Sequence, residues 1–162
     1  MDTSRKNKRK HHHHYHSDKS FVPSLINKQN KIVDPIDINN NEEIVITITI
    51  DIPLEWIKYD IILSGSLFAD GTDTNCGVVM SFYNGHSMKD KYLIGSQIIG
   101  HNNTDHQNGI GFAGYHKEIL NNQSKTGKVK FCMSAKCIDT LFDRSSDISI
   151  INRYIYVQGV RQ

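Results

Sequence analysis

The side chains best suited to metal or acid–base chemistry lie in two polar stretches of the sequence. The first contains His101, Asp105 and His106, and imidazole and carboxylate groups at such short spacing can ligate a metal ion. Their spacing matches no closed zinc set, because the further positioned ligands of such a set are missing. The stretch is therefore interpreted as a solvated loop, with ligand binding as the functional alternative.

The second polar stretch surrounds Gly71 and contains Asp70, Asp73 and Asn75. Their oxygen atoms are the hard ligands that calcium prefers, but the 12-residue spacing and terminal glutamate of an EF-hand are absent. An Asx-rich turn explains the pattern, and a ligand-binding loop is again the alternative. We expect no bound metal and no cofactor.

No catalytic residue can be assigned from the sequence. It contains no Gly-x-Ser-x-Gly elbow, and Ser64-Gly65-Ser66 falls within a predicted strand. Gly109-Ile-Gly111 is not followed by a helical pattern, so a phosphate-binding turn is not indicated. Glutamates are scarce, so paired carboxylates cannot be identified either. These observations predict a protein that is not an enzyme.

The elements around these stretches are predicted to be β-strands. Ile44–Ile52 alternates isoleucine with more polar residues, and this period of two indicates a strand with one buried face. Similar patterns recur downstream with turn residues between them, and Asn84-Gly85 is typical of a tight turn. The further predicted strands are Tyr59–Phe68, Gly77–Tyr83, Lys91–Ile99, Gly109–Tyr115, Val129–Cys137 and Ile148–Val160.

This rhythm of short strands without a long amphipathic helix predicts an all-β fold, an antiparallel β-sandwich of the jelly-roll type. Residues 42–162 are expected to form this single domain. Residues 1–41 are expected to form a basic, His-rich low-complexity arm with an extended linker, disordered at least at its start, because such composition offers little apolar surface to bury.

Charge is concentrated in the predicted arm. Residues 1–20 carry a net charge of +4, whereas the whole chain carries +2, so the remainder is slightly acidic. A nucleic-acid groove on the folded domain is therefore disfavoured. The basic cluster Arg5, Lys6, Lys8, Arg9 and Lys10 could instead contact nucleic acid or an acidic partner.

The three cysteines, Cys76, Cys132 and Cys137, indicate a reducing compartment. Their odd number, without a Cys-x-x-Cys pair or a secretion signal, favours free thiols. No apolar run approaches the roughly 20 residues that a membrane helix needs, so membrane insertion is not expected.

Tyr154 and Tyr156 share one face of the strand that ends the pattern, and Ile155 and Val157 share the other. If the tyrosine face is exposed, it is a ligand-binding surface or a subunit interface. We favour the interface, because several strands have apolar residues on both faces.

Three segments give the chain a resemblance to a known group of proteins. They begin at Tyr59 (Tyr-Asp-Ile-Ile-Leu-Ser-Gly-Ser), at Val78 (Val-Val-Met-Ser-Phe-Tyr-Asn-Gly) and at Ile148 (Ile-Ser-Ile-Ile-Asn-Arg-Tyr-Ile-Tyr-Val). In strand rhythm residues 42–162 resemble the small jelly-roll domains of virion proteins, such as minor capsid, penton or fibre-head modules. The abundance of Ile, Asn and Lys resembles products of the AT-rich genomes of large DNA viruses.

The resemblance implies a non-enzymatic structural protein of a virion, assembled in a host cytoplasm or viral factory. It would associate with itself as a trimer or pentamer and with other virion proteins, and its arm would reach neighbours or nucleic acid. The alternative is a lectin-like or tumour-necrosis-factor-like module that binds a glycan or receptor through the two polar loops.

Overall fold

The computed structural model describes residues 21–70, 76–99, 106–120, 127–139 and 148–162. They form strands joined by short connections, with one 3-10 turn at Asp90–Tyr92. The strands are β1 (Leu25–Ile32), β2 (Ile36–Ile38), β3 (Glu43–Asp51), β4 (Lys58–Asp70), β5 (Cys76–Asn84), β6 (Leu93–Ile99), β7 (His106–Glu118), β8 (Lys128–Asp139) and β9 (Ile148–Arg161).

These strands form two antiparallel sheets. The larger sheet has the order β1-β9-β4-β7, with β2 also paired to β9, and the smaller has the order β3-β8-β5-β6. The pairing is nested: β1 and β2 pair with β9, β3 with β8, β4 with β7, and β5 with β6. This is the jelly-roll arrangement, and it confirms the predicted antiparallel β-sandwich.

Strand β3 follows the predicted alternation with one irregularity. Ile46, Ile48 and Ile50 are buried as expected. A register shift between Ile44 and Ile46 also buries Val45, which the simple period of two placed on the solvated face. A bulge adds one residue to a strand and so changes which side chains face inward.

The described chain enters the sandwich earlier than Glu42, where the domain was expected to begin. Residues Leu25–Ile32 and Ile36–Ile38, expected to be part of an extended linker, are strands of the larger sheet. Only Ile26, Ile32 and Ile36 of these strands pack against the core with partial burial, and Ile38 is fully buried. Because these two segments contain few apolar residues, they were not predicted to be strands, although their backbone pairs fully with β9.

The connection from β5 to β6 is longer than Asn84-Gly85 alone would predict. Gly85 has a φ of 100°, which suits glycine, but the next paired residue is Leu93, opposite Tyr83. The intervening residues include the 3-10 turn, so the glycine begins a longer loop.

The core lies between the two sheets and is made of apolar side chains. Trp56 closes one end, with its indole Nε1 donating to the Pro23 carbonyl oxygen at 2.9 Å. Gly65 lies where the sheets approach closely, since a Cβ there would be 3.0 Å from the Phe82 ring. The largest buried side chains are Trp56, Phe82, Phe131, Ile38, Ile46, Ile61, Leu63, Leu67, Met80, Met133, Ile148 and Ile150.

Strands β1 and β3 lie side by side at one junction of the two sheets, which we call the β1/β3 seam. Side chains of β1 form hydrogen bonds across it. Lys28 Nζ donates to the Thr49 carbonyl oxygen at 2.8 Å, and Asn30 Nδ2 donates to the Thr47 carbonyl oxygen at 2.8 Å. These carbonyls belong to the edge of β3 that pairs with no strand in the described part of the chain, because its other edge pairs with β8. Side-chain donors thus take the place of a neighbouring strand.

A buried arginine binds one more backbone carbonyl of β3 at this seam. Arg153 of β9 points inward, and its Nε donates to the Val45 carbonyl oxygen at the β3 bulge. Its Nη1 also donates to the Asp34 carbonyl oxygen at 2.6 Å, in the connection from β1 to β2. Burial lowers the pKa of Arg153, and Asp34 acts in the opposite direction. The guanidinium thereby joins both sheets where β1 ends.

No helix in the described part of the chain is long and apolar enough to cross a membrane.

Replacement of Asn30 tests whether the β1/β3 seam contributes to stability. Asn30→Val removes the donor to the Thr47 carbonyl and should lower the free energy of unfolding by about 1 kcal/mol. Asn27→Val, on the exposed outer face of the same strand, should change it by less than about 0.5 kcal/mol. Urea denaturation of both variants measures the difference, and equal midpoints would contradict a stabilising seam.

Candidate interaction surface

The outer face of the larger sheet carries the two tyrosines identified in the sequence. In β9, Ile155 and Val157 are fully buried, whereas Tyr154 and Tyr156 point to the opposite side and are partly exposed. The Tyr154 hydroxyl donates to Gln29 Oε1 of β1 at 3.3 Å. Both tyrosines therefore belong to an outward-facing surface that continues across the sheet.

Strand β7 adds the most exposed apolar side chains to this surface. Ile110 is 66% exposed and Phe112 is 60% exposed, and Ile62 of β4 is 46% exposed. We call the outer face formed by Ile62, Ile110, Phe112, Tyr154 and Tyr156 the apolar face. Contiguous exposed apolar groups of this kind mark interaction sites more often than scattered ones do.

The strand register determines which small and large side chains lie next to each other on the apolar face. Two serines of the central strand β4 each lie between a tyrosine of β9 and a bulky side chain of β7. The aligned rows are Tyr156–Ser64–Phe112 and Tyr154–Ser66–Ile110. Small residues between two large flanks form a trough along β4, which could receive protruding side chains of a partner.

One end of this trough widens into an open groove of about 410 Å³. It combines aromatic rings with an ammonium, an amide and a hydroxyl group, so it could hold a polar ligand as well as a protein side chain. The lining residues are Lys31, Ser66, Leu67, Phe68, Asn152 and Tyr154.

The two polar loops predicted to bind ligand join strands at one end of the sandwich. Asp70 ends β4 and His106 begins β7, and these residues are register partners. Asp73, Asn75, His101 and Asp105 lie outside the described residues, as do the side chains of Asp70 and His106. The topology thus brings the two loop attachments together, and the loops' role in ligand binding stays a prediction.

The basic cluster of the predicted arm, Arg5, Lys6, Lys8, Arg9 and Lys10, also lies outside the described residues. Its contact with nucleic acid or a partner therefore stays a prediction.

A polar network that the sequence did not reveal lies on the outer side of the smaller sheet. Glu42 Oε1 accepts hydrogen bonds from the Tyr83 hydroxyl at 2.6 Å and from Ser134 Oγ at 2.5 Å. Burial and the hydrogen bond to Glu42 both raise the pKa of Tyr83. The carboxylate thus fixes a nearly buried tyrosine against the sheet.

Two cysteines of β8, Cys132 and Cys137, are buried thiols. Cys137 joins the core cluster, whereas Cys132 lies on the other side of the strand, opposite Tyr83 in the register. Burial raises the pKa of Cys132 to about 11, although nearby Lys130 lowers it. A buried thiol that stays protonated is a poor nucleophile.

An acid–histidine pair lies near one end of the larger sheet. His116 Nδ1 and Asp60 Oδ1 are 2.6 Å apart on register-paired residues of β7 and β4. Gln162 Nε2 also donates to Asp60 Oδ2. Within the described ranges, no group of three or more His, Cys, Asp or Glu residues is placed to hold a metal ion.

The sequence did contain a signal for the exposed residues of β7. Gly111 and Ala113 face the core, and Ile110 and Phe112 face solvent, which inverts the usual alternation. Small residues at alternate positions of this strand therefore indicated that the bulky residues between them lie on its outer side. The pairs Glu42–Tyr83 and Asp60–His116 are far apart in sequence and gave no such signal.

No protein-family model and no curated protein sequence matches this chain. Several solved structures of infectious bursal disease virus are similar to it. The VP2 subviral particle matches with 9% identity and a TM-score of 0.49, over 90% of this chain and 36% of that one. The Gt strain structure matches with 10% identity and a TM-score of 0.45, over 83% of this chain and 33% of that one.

The T=1 particles derived from the same virus match with 10% identity and a TM-score of 0.45, over 85% of this chain and 36% of that one. This chain therefore spans about a third of the length of each of these proteins. Matches of this strength establish neither a family nor a shared activity, and they give no support to an origin in large DNA viruses.

The buried thiol of Cys132 leads to a prediction about alkaline stability. In the unfolded chain the thiol ionises near its ordinary pKa of 9.0, whereas the folded protein holds the proton up to about 11. The stability that this difference contributes is present below about pH 9 and is lost as the pH rises toward about 11. Urea midpoints measured at about pH 8 and about pH 10.5 should therefore fall less in Cys132→Ala than in the unmodified protein. An equal fall in both proteins would contradict a perturbed Cys132.

Proposed function

We propose that the protein is a non-enzymatic structural virion protein, a self-associating jelly-roll building block. The observation that carries the proposal is the apolar face, with Ile62, Ile110 and Phe112 all at least 46% exposed beside Tyr154 and Tyr156. Aromatic residues surrounded by apolar ones are typical of the central part of protein interfaces.

The jelly-roll topology supports this class of function but does not determine it. Viral capsid proteins, lectins and cupins all use the topology, so function has to be argued from the surface and the interior. Here the space between the sheets is filled by apolar side chains such as Phe82, Met80 and Phe131. Recognition therefore takes place on outer faces and loops.

A building block also needs contacts beyond one interface. We propose a trimer or pentamer formed through the apolar face, with further contacts to other virion proteins. The basic residues 5–10 would reach a neighbouring subunit or nucleic acid, and the site of assembly would be a host cytoplasm or viral factory. Thiols at Cys132 and Cys137 are compatible with a reducing compartment.

Paired lysine substitutions test the interface. Ile110 on the apolar face and Ile98 on the outer face of the smaller sheet are both 66% exposed, so each variant places the same charge at a similarly exposed position. Ile110→Lys should shift the protein from oligomer to monomer, because a desolvated charge at an interface is unfavourable. Ile98→Lys should leave the mass unchanged. Light scattering after size exclusion gives the absolute mass of each protein.

A monomeric unmodified protein would contradict self-association, and dissociation by Ile98→Lys alone would place the interface on the smaller sheet. A variant beginning at Phe21 separates the role of the basic segment. If it keeps the mass of the full chain but loses salt-dependent binding to single-stranded DNA, the segment contacts nucleic acid. If it loses the mass as well, the segment connects subunits.

The second candidate is a glycan- or receptor-binding module, and the groove beside Tyr154 favours it. An aromatic ring next to Lys31, Ser66 and Asn152 offers both stacking and hydrogen bonds to a sugar. The paired ends of the loops at Asp70 and His106 offer a separate loop-based site.

A glycan array tests this candidate. If the groove binds sugar, Asn152→Ala should weaken binding to the strongest array ligand at least about fivefold, because the lost amide hydrogen bond is worth about 1 kcal/mol. Asn27→Ala, on the exposed face of β1, should leave the signal unchanged. Loss of binding on changing His101 and Asp105 would instead identify the loops as the site, and an empty array would contradict the glycan reading.

A further inference from the structure

One edge of β7 is paired with a side chain in place of a strand. The Phe112 amide N donates to Gln97 Oε1 at 3.0 Å, and Gln97 Nε2 donates to the Phe112 carbonyl oxygen. One amide that bonds both backbone groups of one residue reproduces the pairing that a residue of an adjacent antiparallel strand makes. The side chain of Gln97 in β6 thus takes the place of one residue of a strand that would pair with the free edge of β7.

The next backbone N–H and C=O groups along this edge border a cleft. Alternate residues of a strand direct their N–H and C=O groups to the same edge, so those of Gly114 and His116 point the same way as those of Phe112. A cleft of about 240 Å³ lies there, between the end of β7 and the start of β6. We call it the seam cleft, and residues that line it include Asn84, Lys91, Tyr92, Gly114, Tyr115 and His116.

Gly114 leaves the outer face of the sheet bare where β7 borders the seam cleft. A Cβ added at this position would have no atom within 4 Å, and its backbone is not in the left-handed region. By contrast, a Cβ at Gly111 of the same strand would overlap Gln97 and Met80. The space above Gly114 is therefore not required by the packing of the protein itself.

The charge around the seam cleft favours an acidic partner. Lys91 lines the cleft, with its Nζ 4.9 Å from the centre of the Tyr92 ring, and the lining residues that the structure describes include no carboxylate. Asn84 Nδ2 donates to the Tyr115 hydroxyl at 3.1 Å, and Asp60 holds Nδ1 of His116. Polar groups thus stand in fixed positions beside the open backbone edge.

We propose that the seam cleft is a strand-addition site, in which an extended peptide pairs with Gly114 and His116 and directs an acidic side chain to Lys91. Backbone hydrogen bonds at a sheet edge give such peptides affinity, and side-chain pockets give them specificity. An anionic sugar would use the same charge but not the backbone edge. The site is distinct from self-association through the apolar face and does not depend on it.

Three fluorescein-labelled probes separate these properties: Thr-Val-Glu-Val-Thr, the same peptide with alternate backbone amides methylated, and Thr-Val-Gln-Val-Thr. Titration of the full-length protein is followed by fluorescence anisotropy. The methylated and glutamine peptides should each bind at least tenfold more weakly than the first, since one lacks backbone donors and the other lacks the charge.

Gly114→Pro removes the N–H that the proposal assigns to the free edge and should weaken binding of the first peptide at least tenfold, while circular dichroism shows an unchanged fold. Gly114→Ala keeps this N–H, and its Cβ has no atom within 4 Å, so it is the matched control and should bind normally. Slower hydrogen exchange of the Gly114 and His116 amides with bound peptide supports pairing at this edge. Equal binding of the methylated peptide, or no binding by any of the three peptides, would overturn the proposal.

Discussion

The structure depends on the way in which its sheet edges are closed. Each sheet of a sandwich ends in strands whose outer N–H and C=O groups lack a strand partner, and such edges invite unwanted pairing. Here β3 presents its free carbonyls to Lys28, Asn30 and Arg153, and β7 presents Phe112 to Gln97. Side chains from the opposite sheet therefore do at both seams what a neighbouring strand would do, and they hold the two sheets together there.

The close approach at the second seam also explains why an apolar surface faces outward. Gly109 lies against Ile99, and Gly111 lies against Gln97 and Met80, so these inward positions have no space for larger residues. The bulky apolar residues of β7 are therefore those on its outer side, Ile110 and Phe112. The tight seam and the apolar face are two consequences of the same distribution of small and large residues along one strand.

Much of the fold was predictable from the alternation of residues, and the failures have physical causes. Seven strands were identified because each is a short run rich in apolar, β-branched or aromatic residues with turn residues around it, and Ile44–Ile52 also shows a period of two. Strand β1 was missed because Lys28 and Asn30 stabilise the seam through hydrogen bonds, which leave no hydrophobic pattern, and β2 was missed because it has only three residues. Tyr154 and Tyr156 could be placed on one face by spacing alone. Gln97 and the partners of Glu42 could not, because they are brought together only by the folded topology.

The central position of β9 in the larger sheet constrains the order in which the protein can acquire its structure during synthesis. This strand pairs with β1, β2 and β4, yet it is residues 148–161 of the chain. Until the ribosome has released them, β1 and β2 have no partner and β4 has only β7. The larger sheet therefore forms after translation of β9, and nascent chains expose apolar strands that chaperones would have to shield.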